Sequence, residues 1–108
     1  MKKGEVWILE FPSSSRREQE GTRPAIAVSD TGMGMIVCIP LTSNLKASKF
    51  PHTAEIKKSE KNNLKKDSVA LIFQTQSLDK RRFKSKIGDL EDSYLNEIDN
   101  QLKDLLKL

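Results

Sequence analysis

Few of the usual catalytic side chains are present in this sequence. There is one histidine, His52, and one cysteine, Cys38. They cannot supply a two-histidine acid–base pair or an intrachain disulfide, and no clustered acidic or Cys/His ligand motif is present, so no metal site is expected. What remains is arginine, hydroxyl and carboxylate. Arg23 stands immediately before Pro24. Its guanidinium is always charged and forks onto two phosphate oxygens, and the proline should fix its backbone at a loop-to-strand junction. A surface arginine in an ion pair would read the same way. Thr42 follows Pro40 at the end of an apolar run. Its hydroxyl could bond a phosphate or merely close a turn. Glu18 could take a proton or orient Arg23, although a lone loop glutamate is ordinarily solvated. His52, within Phe50-Pro51-His52-Thr53, could move a proton or touch a ligand, or be incidental.

The charge distribution fits a polyanionic or acidic partner. Residues 1–88 carry 17 basic and 9 acidic side chains, a net of +8, whereas residues 89–108 carry 2 and 6, a net of −4. An unevenly charged but otherwise ordinary surface is the alternative. Length, 108 residues, suits one domain with one core. No signal peptide or apolar span of membrane length is visible, so a cytoplasmic chain without membrane attachment is expected. Cys38 lies in an apolar run and reads as a buried thiol.

These side chains need rigid supports, and the hydropathy pattern supplies them. Val6 to Leu9 with Phe11 reads as a strand buried on both faces, ended by Pro12. Ser13 to Thr22 is a long polar loop of the kind that is often functional. Ala25 to Ser29 and Met35 to Ile39 flank a glycine-rich turn and read as a hairpin, with Pro40 closing the second strand. Thr53 to Ile56 is a short strand, and Lys57 to Lys66 a basic, solvated loop. Ser68 to Phe73 is another strand, and Lys84 to Gly88 a last edge strand blunted by lysines. Tyr94, Leu95, Ile98, Leu102, Leu105 and Leu106 recur at helical spacing, with Asp89 or Glu91 as weak caps. Many short strands plus one terminal helix predict a mainly β chain: a small barrel with a helix laid on it.

The fragments that punctuate these elements carry a resemblance. They are Gly4-Glu5-Val6-Trp7, Glu18-Gln19-Glu20-Gly21-Thr22-Arg23-Pro24, Pro40-Leu41-Thr42-Ser43, Asp67-Ser68-Val69-Ala70-Leu71, Gln74, Ser77-Leu78-Asp79-Lys80 and Ile87-Gly88. Each is weak alone, but in this order and spacing the chain resembles the MazF/PemK/Kid toxins from end to end. That resemblance implies a single toxin domain over residues 1–108, an SH3-like β-barrel of the CcdB/MazF/PemK kind with a C-terminal α-helix, assembled as a homodimer. It implies a toxin of a type II toxin–antitoxin system that cuts single-stranded RNA at short motifs. The 2′-hydroxyl would attack, leaving a 2′,3′-cyclic phosphate and a 5′-hydroxyl without metal or other cofactor. An acidic, MazE-like antitoxin would cover the RNA groove. Arg23 and Thr42 would be catalytic and Glu18 involved in activity. Gln19, Ser43, Lys46, Lys49, His52, Gln74 and Gln76 would contact RNA, with Lys57 and Lys58 as further backbone contacts.

Two positions depart from the family pattern. Phe73 stands where relatives often carry an acid, and Gln76 where they often carry an arginine. Phe73 could stack on a base or pack in the core, and Phe50 has the same two options. These departures keep two other readings open: a non-enzymatic, CcdB-like gyrase poison, and a non-catalytic barrel that binds RNA or protein.

Overall fold

The computed structural model describes residues 1–11 and 21–108. Pro12, most of the Ser13–Thr22 loop, Glu18 and Gln19 lie outside the described residues. Seven strands and one helix follow in order: β1 (Glu5–Glu10), β2 (Thr22–Asp30), β3 (Met35–Thr42), β4 (Thr53–Ile56), β5 (Ser68–Leu71), β6 (Gln76–Asp79), β7 (Phe83–Asp89) and α1 (Asp92–Leu106). All pairings are antiparallel, in the order β4-β5-β3-β2-β1-β7, with β6 also on β3. This is the expected mainly β, barrel-like fold with its C-terminal helix. Its end strands β4 and β7 do not pair, so the sheet curls without closing.

Period-two alternation splits the apolar residues between the two faces of the sheet. Val6, Ile26, Ile39 and Leu41 join one cluster, which Ile98 of α1 completes with Tyr94, Leu95, Leu102 and Leu105 at its margin. Leu9, Phe11, Ala25, Ala27, Ile36 and Cys38 join the other, with Leu78 and Phe83 supplied by β6 and β7. Trp7 lies edge-on to Phe83, ring centroids 6.1 Å apart. Cys38 is fully buried, and burial pushes its thiol up to about 12, which leaves it an inert core residue.

Several strand boundaries differ from the expected ones, each for a visible reason. Pro40 does not close β3; the strand continues to Thr42. Met35–Cys38 pair with β6, and Leu41–Thr42 with β5. Pro40 sits between those two partners, where one flank carries no ladder and a missing N–H is tolerated. The strand expected to reach Phe73 stops at Leu71, because Ile72–Gln74 form a 3₁₀ turn closed by the Thr75 hydroxyl on the Ile72 carbonyl at 2.6 Å. β6, which the sequence pattern did not mark as a strand, forms where that turn leads the chain onto β3. β7 is an edge strand as expected. Lys84 and Lys86 reach Glu10 at 3.7 Å and Glu5 at 3.6 Å.

The basic 57–66 segment is not simply solvated. Asn62 is fully buried in it. Its carboxamide accepts from the Ser59 and Leu64 amides, each at 3.0 Å, and donates to the Lys57 carbonyl and to Glu91 at 3.0 and 3.1 Å. Glu91 occupies the cap position of α1 but makes no cap bond. Its carboxylate is engaged instead by Asn62 and by the Ser59 hydroxyl at 2.6 Å. Gly88 makes this crossing possible: a Cβ there would lie 2.5 Å from the Lys61 and Asn62 carbonyl oxygens. The far end of α1 is tied to β4, since Gln101 Nε2 donates to the Thr53 carbonyl at 2.7 Å.

Burial opposes ionisation of Glu91, but the Ser59 hydroxyl, the backbone and Asn62 outweigh it and hold the pKa below the ordinary 4.5. A depressed folded pKa contributes stability that is present above the unfolded value and lost as pH falls through the folded one. Glu91→Gln should therefore cost about 1 kcal/mol at neutral pH, and the difference from the parent should shrink below pH 4.5. Urea unfolding at a series of pH values checks this; a pH-independent difference would contradict it.

Candidate active site

Strand register builds the site. In the β2–β3 ladder Ala25 faces Pro40 and Ile26 faces Ile39. That ladder stops at Ala25–Pro40, two residues short of Arg23 and Thr42, and both of these residues line the same two cavities. Each is held by its outer neighbour, Arg23 by pairing with Leu9 of β1 and Thr42 by pairing with Val69 of β5. Both residues therefore sit on paired backbone, the kind of support that fixes a catalytic side chain.

Arg23 is not the solvated, ion-paired arginine of the plain alternative. Its Cζ lies 4.9 Å from the Phe11 ring centroid, a cation–π contact. Among the described residues it joins no salt bridge, and its Nε is buried with no hydrogen-bond partner. A buried donor left unmet costs about 1–3 kcal/mol. A phosphate bound at the fork would supply the missing acceptor. Thr42 has a complementary state: its Oγ1 accepts the Asn44 amide at 3.2 Å. It closes a turn, and its own hydrogen remains available to donate to a ligand oxygen.

The pair lies between two cavities and lines both. The first, of about 400 Å³, is also lined by Phe11, Asn44, Phe50, Phe73, Gln74 and Gln76. The second, of about 840 Å³, adds Ser43, Asn63, Lys65 and Lys66 over an apolar floor that includes Ile8, Leu41 and Ile87. Among the described residues neither cavity is lined by a carboxylate, imidazole or thiol. The lining carries positive charge and neutral hydrogen-bonding groups, as a single-stranded polyanion requires.

The structure thus brings Arg23, Thr42, Ser43, Gln74 and Gln76 around the cavities. Lys46 and Lys49 lie beside them, exposed on the 3₁₀ turn Leu45–Lys49, but not in the lining. His52 is outside it as well. Its Nε2 is 2.9 Å from Asp104 of α1, its backbone φ is +58°, and its carbonyl accepts the Phe73 amide at 3.2 Å. Glu18 and Gln19 are outside the described residues. Asn44, Phe11, Lys65 and Lys66 were not singled out in the sequence. Asn44 follows the Thr42-Ser43 pair directly and was within reach. The lysines were not, because only the buried Asn62 decides which members of the basic run face the cavity.

A model of the PemK-like, MazF-like toxins of type II toxin–antitoxin systems matches residues 2–106. The chain belongs to that family. It is similar to a protein named endoribonuclease MazF from Staphylococcus saprophyticus, 34% identical over 106 residues, spanning 94% of this chain and 88% of the relative. Among solved structures, MazF from Deinococcus radiodurans superposes with a TM-score of 0.76 at 26% identity, over 100% of this chain and 97% of that one. A MazE–MazF structure from the same organism gives 0.78 at 26% identity, over 100% and 96%. In this MazF-like chain α1, which holds most of the acidic terminal segment, contributes no residue to either cavity. No helix among the described residues is long and apolar enough to cross a membrane.

Removing a part-exposed arginine whose buried Nε has no partner should not weaken the fold. Arg23→Met keeps the apolar stem on Phe11 and deletes the orphaned donor, so its unfolding midpoint should equal or exceed that of the parent. The loss of the cation–π contact, about 0.5–1 kcal/mol, offsets part of the gain. A midpoint several degrees lower in a thermal melt would show that Arg23 is a structural residue.

Proposed function

We propose that this MazF-like chain is the toxin of a toxin–antitoxin pair and an endoribonuclease whose reaction is carried by Arg23 and Thr42. One observation carries the residue assignment: an arginine with an unmet buried Nε and a threonine hydroxyl free to donate line the same two uncharged-to-cationic cavities. The family membership and the similarity to a MazF endoribonuclease support the activity.

In this reading the two side chains hold the non-bridging oxygens of one phosphodiester. The 2′-oxygen attacks phosphorus, the P–O5′ bond breaks, and the products are a 2′,3′-cyclic phosphate and a 5′-hydroxyl. The proton leaves the 2′-hydroxyl and a proton reaches O5′. Negative charge gathers on the phosphate oxygens meanwhile, and Arg23 meets it without an ion of any other kind. Glu18 is the proposed proton acceptor or the group that orients Arg23. DNA, lacking the 2′-hydroxyl, binds but is not cut. The chain acts as one domain, as a homodimer in the cytoplasm, and an acidic antitoxin inhibits it. The MazE–MazF structure from Deinococcus radiodurans and the basic balance of residues 1–88 support that partner.

Incubation of a long transcript with the chain in EDTA, followed by analysis of the ends, tests the reading. Cleavage at recurring short motifs with cyclic-phosphate and 5′-hydroxyl ends is expected. Arg23→Ala and Thr42→Ala should each fall about 10²–10³-fold, the usual cost of removing one donor to a developing oxyanion, while remaining folded. Full activity in folded Arg23→Ala would reject the site, and RNA binding without cleavage by the parent chain would reject the enzyme.

A further inference from the structure

Next to the Arg23–Thr42 pair, two phenyl rings stand in water. Phe50 is 51% exposed and Phe73 42% exposed. Their centroids are 6.3 Å apart with the planes at 65°. Both line the smaller cavity, which Arg23 and Thr42 share. Large apolar side chains left about half in solvent forgo roughly half of the ~1.5–3 kcal/mol that full burial contributes, and here the backbone holds them out. The Phe50 amide donates to the Ala47 carbonyl at 3.1 Å, and its carbonyl accepts the Thr53 hydroxyl at 2.8 Å. The Phe73 amide is fixed on the His52 carbonyl. The rings therefore form a preset corner and do not move with a loose loop.

The rest of the wall suits a flat, hydrogen-bonding occupant. Gln76 donates to the Gln74 carbonyl at 3.2 Å, which leaves its amide oxygen open. The Gln74 carboxamide has no side-chain partner among the described residues and is exposed. Carboxamides pair with base edges, and exposed aromatic faces stack on bases of any sequence. Lys46 and Lys49 stand on the same turn outside any ion pair among the described residues, placed for a flanking phosphate.

We propose that the corner made by Phe50 and Phe73 receives the nucleobase adjacent to the phosphate held by Arg23 and Thr42, stacked on one ring and abutting the other, and that Gln74 and Gln76 read its polar edge. The corner is then a specificity determinant for single-stranded RNA, and it rests on the endoribonuclease reading above. Of the two cavities, the smaller takes the base and the larger, with Lys65 and Lys66, takes the continuing backbone.

The test uses the full chain and an uncleavable probe, fluorescent single-stranded deoxyribo-oligonucleotides, with anisotropy titrations at several salt concentrations. Phe50→Leu and Phe73→Leu keep apolar volume but remove the π-face. Each should weaken binding about tenfold or more with the salt slope unchanged, and each should relax or change the base beside the cut in a long transcript. Tyrosine at the same positions should restore what leucine loses. Leucine variants that bind and cut at the parent's sites would overturn the base corner alone, as would tyrosine variants as impaired as leucine. A parent chain that neither binds nor cuts any single strand would overturn the nuclease reading, and the base corner with it.

Discussion

The site depends on one unmet interaction: the Arg23 guanidinium is clamped in place and lacks an acceptor. Phe11 lies under the charge at 4.9 Å, and Nε is buried without a partner among the described residues. In an ordinary core such a donor is paired, because the cost of leaving it dry approaches that of a lost hydrogen bond. Here β1 pairs with Arg23 and β5 with Thr42, whose hydroxyl accepts from Asn44 and keeps its own hydrogen, and both residues line the same cavities. Preorganisation of this kind lets donors meet developing charge without moving. The fold carries the cost in stability and recovers it when an anion arrives.

β1 and β5 pair with the two residues from outside. Among the described residues no carboxylate lines the cavities, and several are engaged elsewhere. Glu91 is bound to Ser59 and Asn62, Glu5 accepts the Trp7 indole N–H at 2.9 Å, and Asp99 pairs with Lys3. Asp104 binds His52, whose carbonyl in turn fixes Phe73. His52 thus links α1 to the backbone of Phe73.

Much of this was legible in the residues, and the illegible parts share a cause. Arg23 beside Pro24 and Thr42 beyond Pro40 could be picked out because they fall within fragments that resemble the family, next to prolines that mark where stiff backbone begins. The helix followed from its apolar spacing. Pro40 misled about the end of β3, since whether a missing N–H matters depends on which neighbours pair there. β6 was hidden in a polar stretch whose strand character comes from β3. Asn62 looked like one more polar loop residue, yet it is the buried centre of that loop. Phe73 and Phe50 offered stacking or packing equally, and neither their exposure nor their edge-on contact could be read from the sequence. In each case the deciding partner lies far away in sequence, where composition and period carry no information.

The most direct measurement is NMR of the arginine Nε–H groups as an uncleavable single-stranded deoxyribo-oligonucleotide is added. Arg23 should show one strongly shifted, slowly exchanging Nε–H on binding, as its empty donor site gains a phosphate oxygen. A strand that binds while the Arg23 signal stays unchanged would contradict the role given to this side chain.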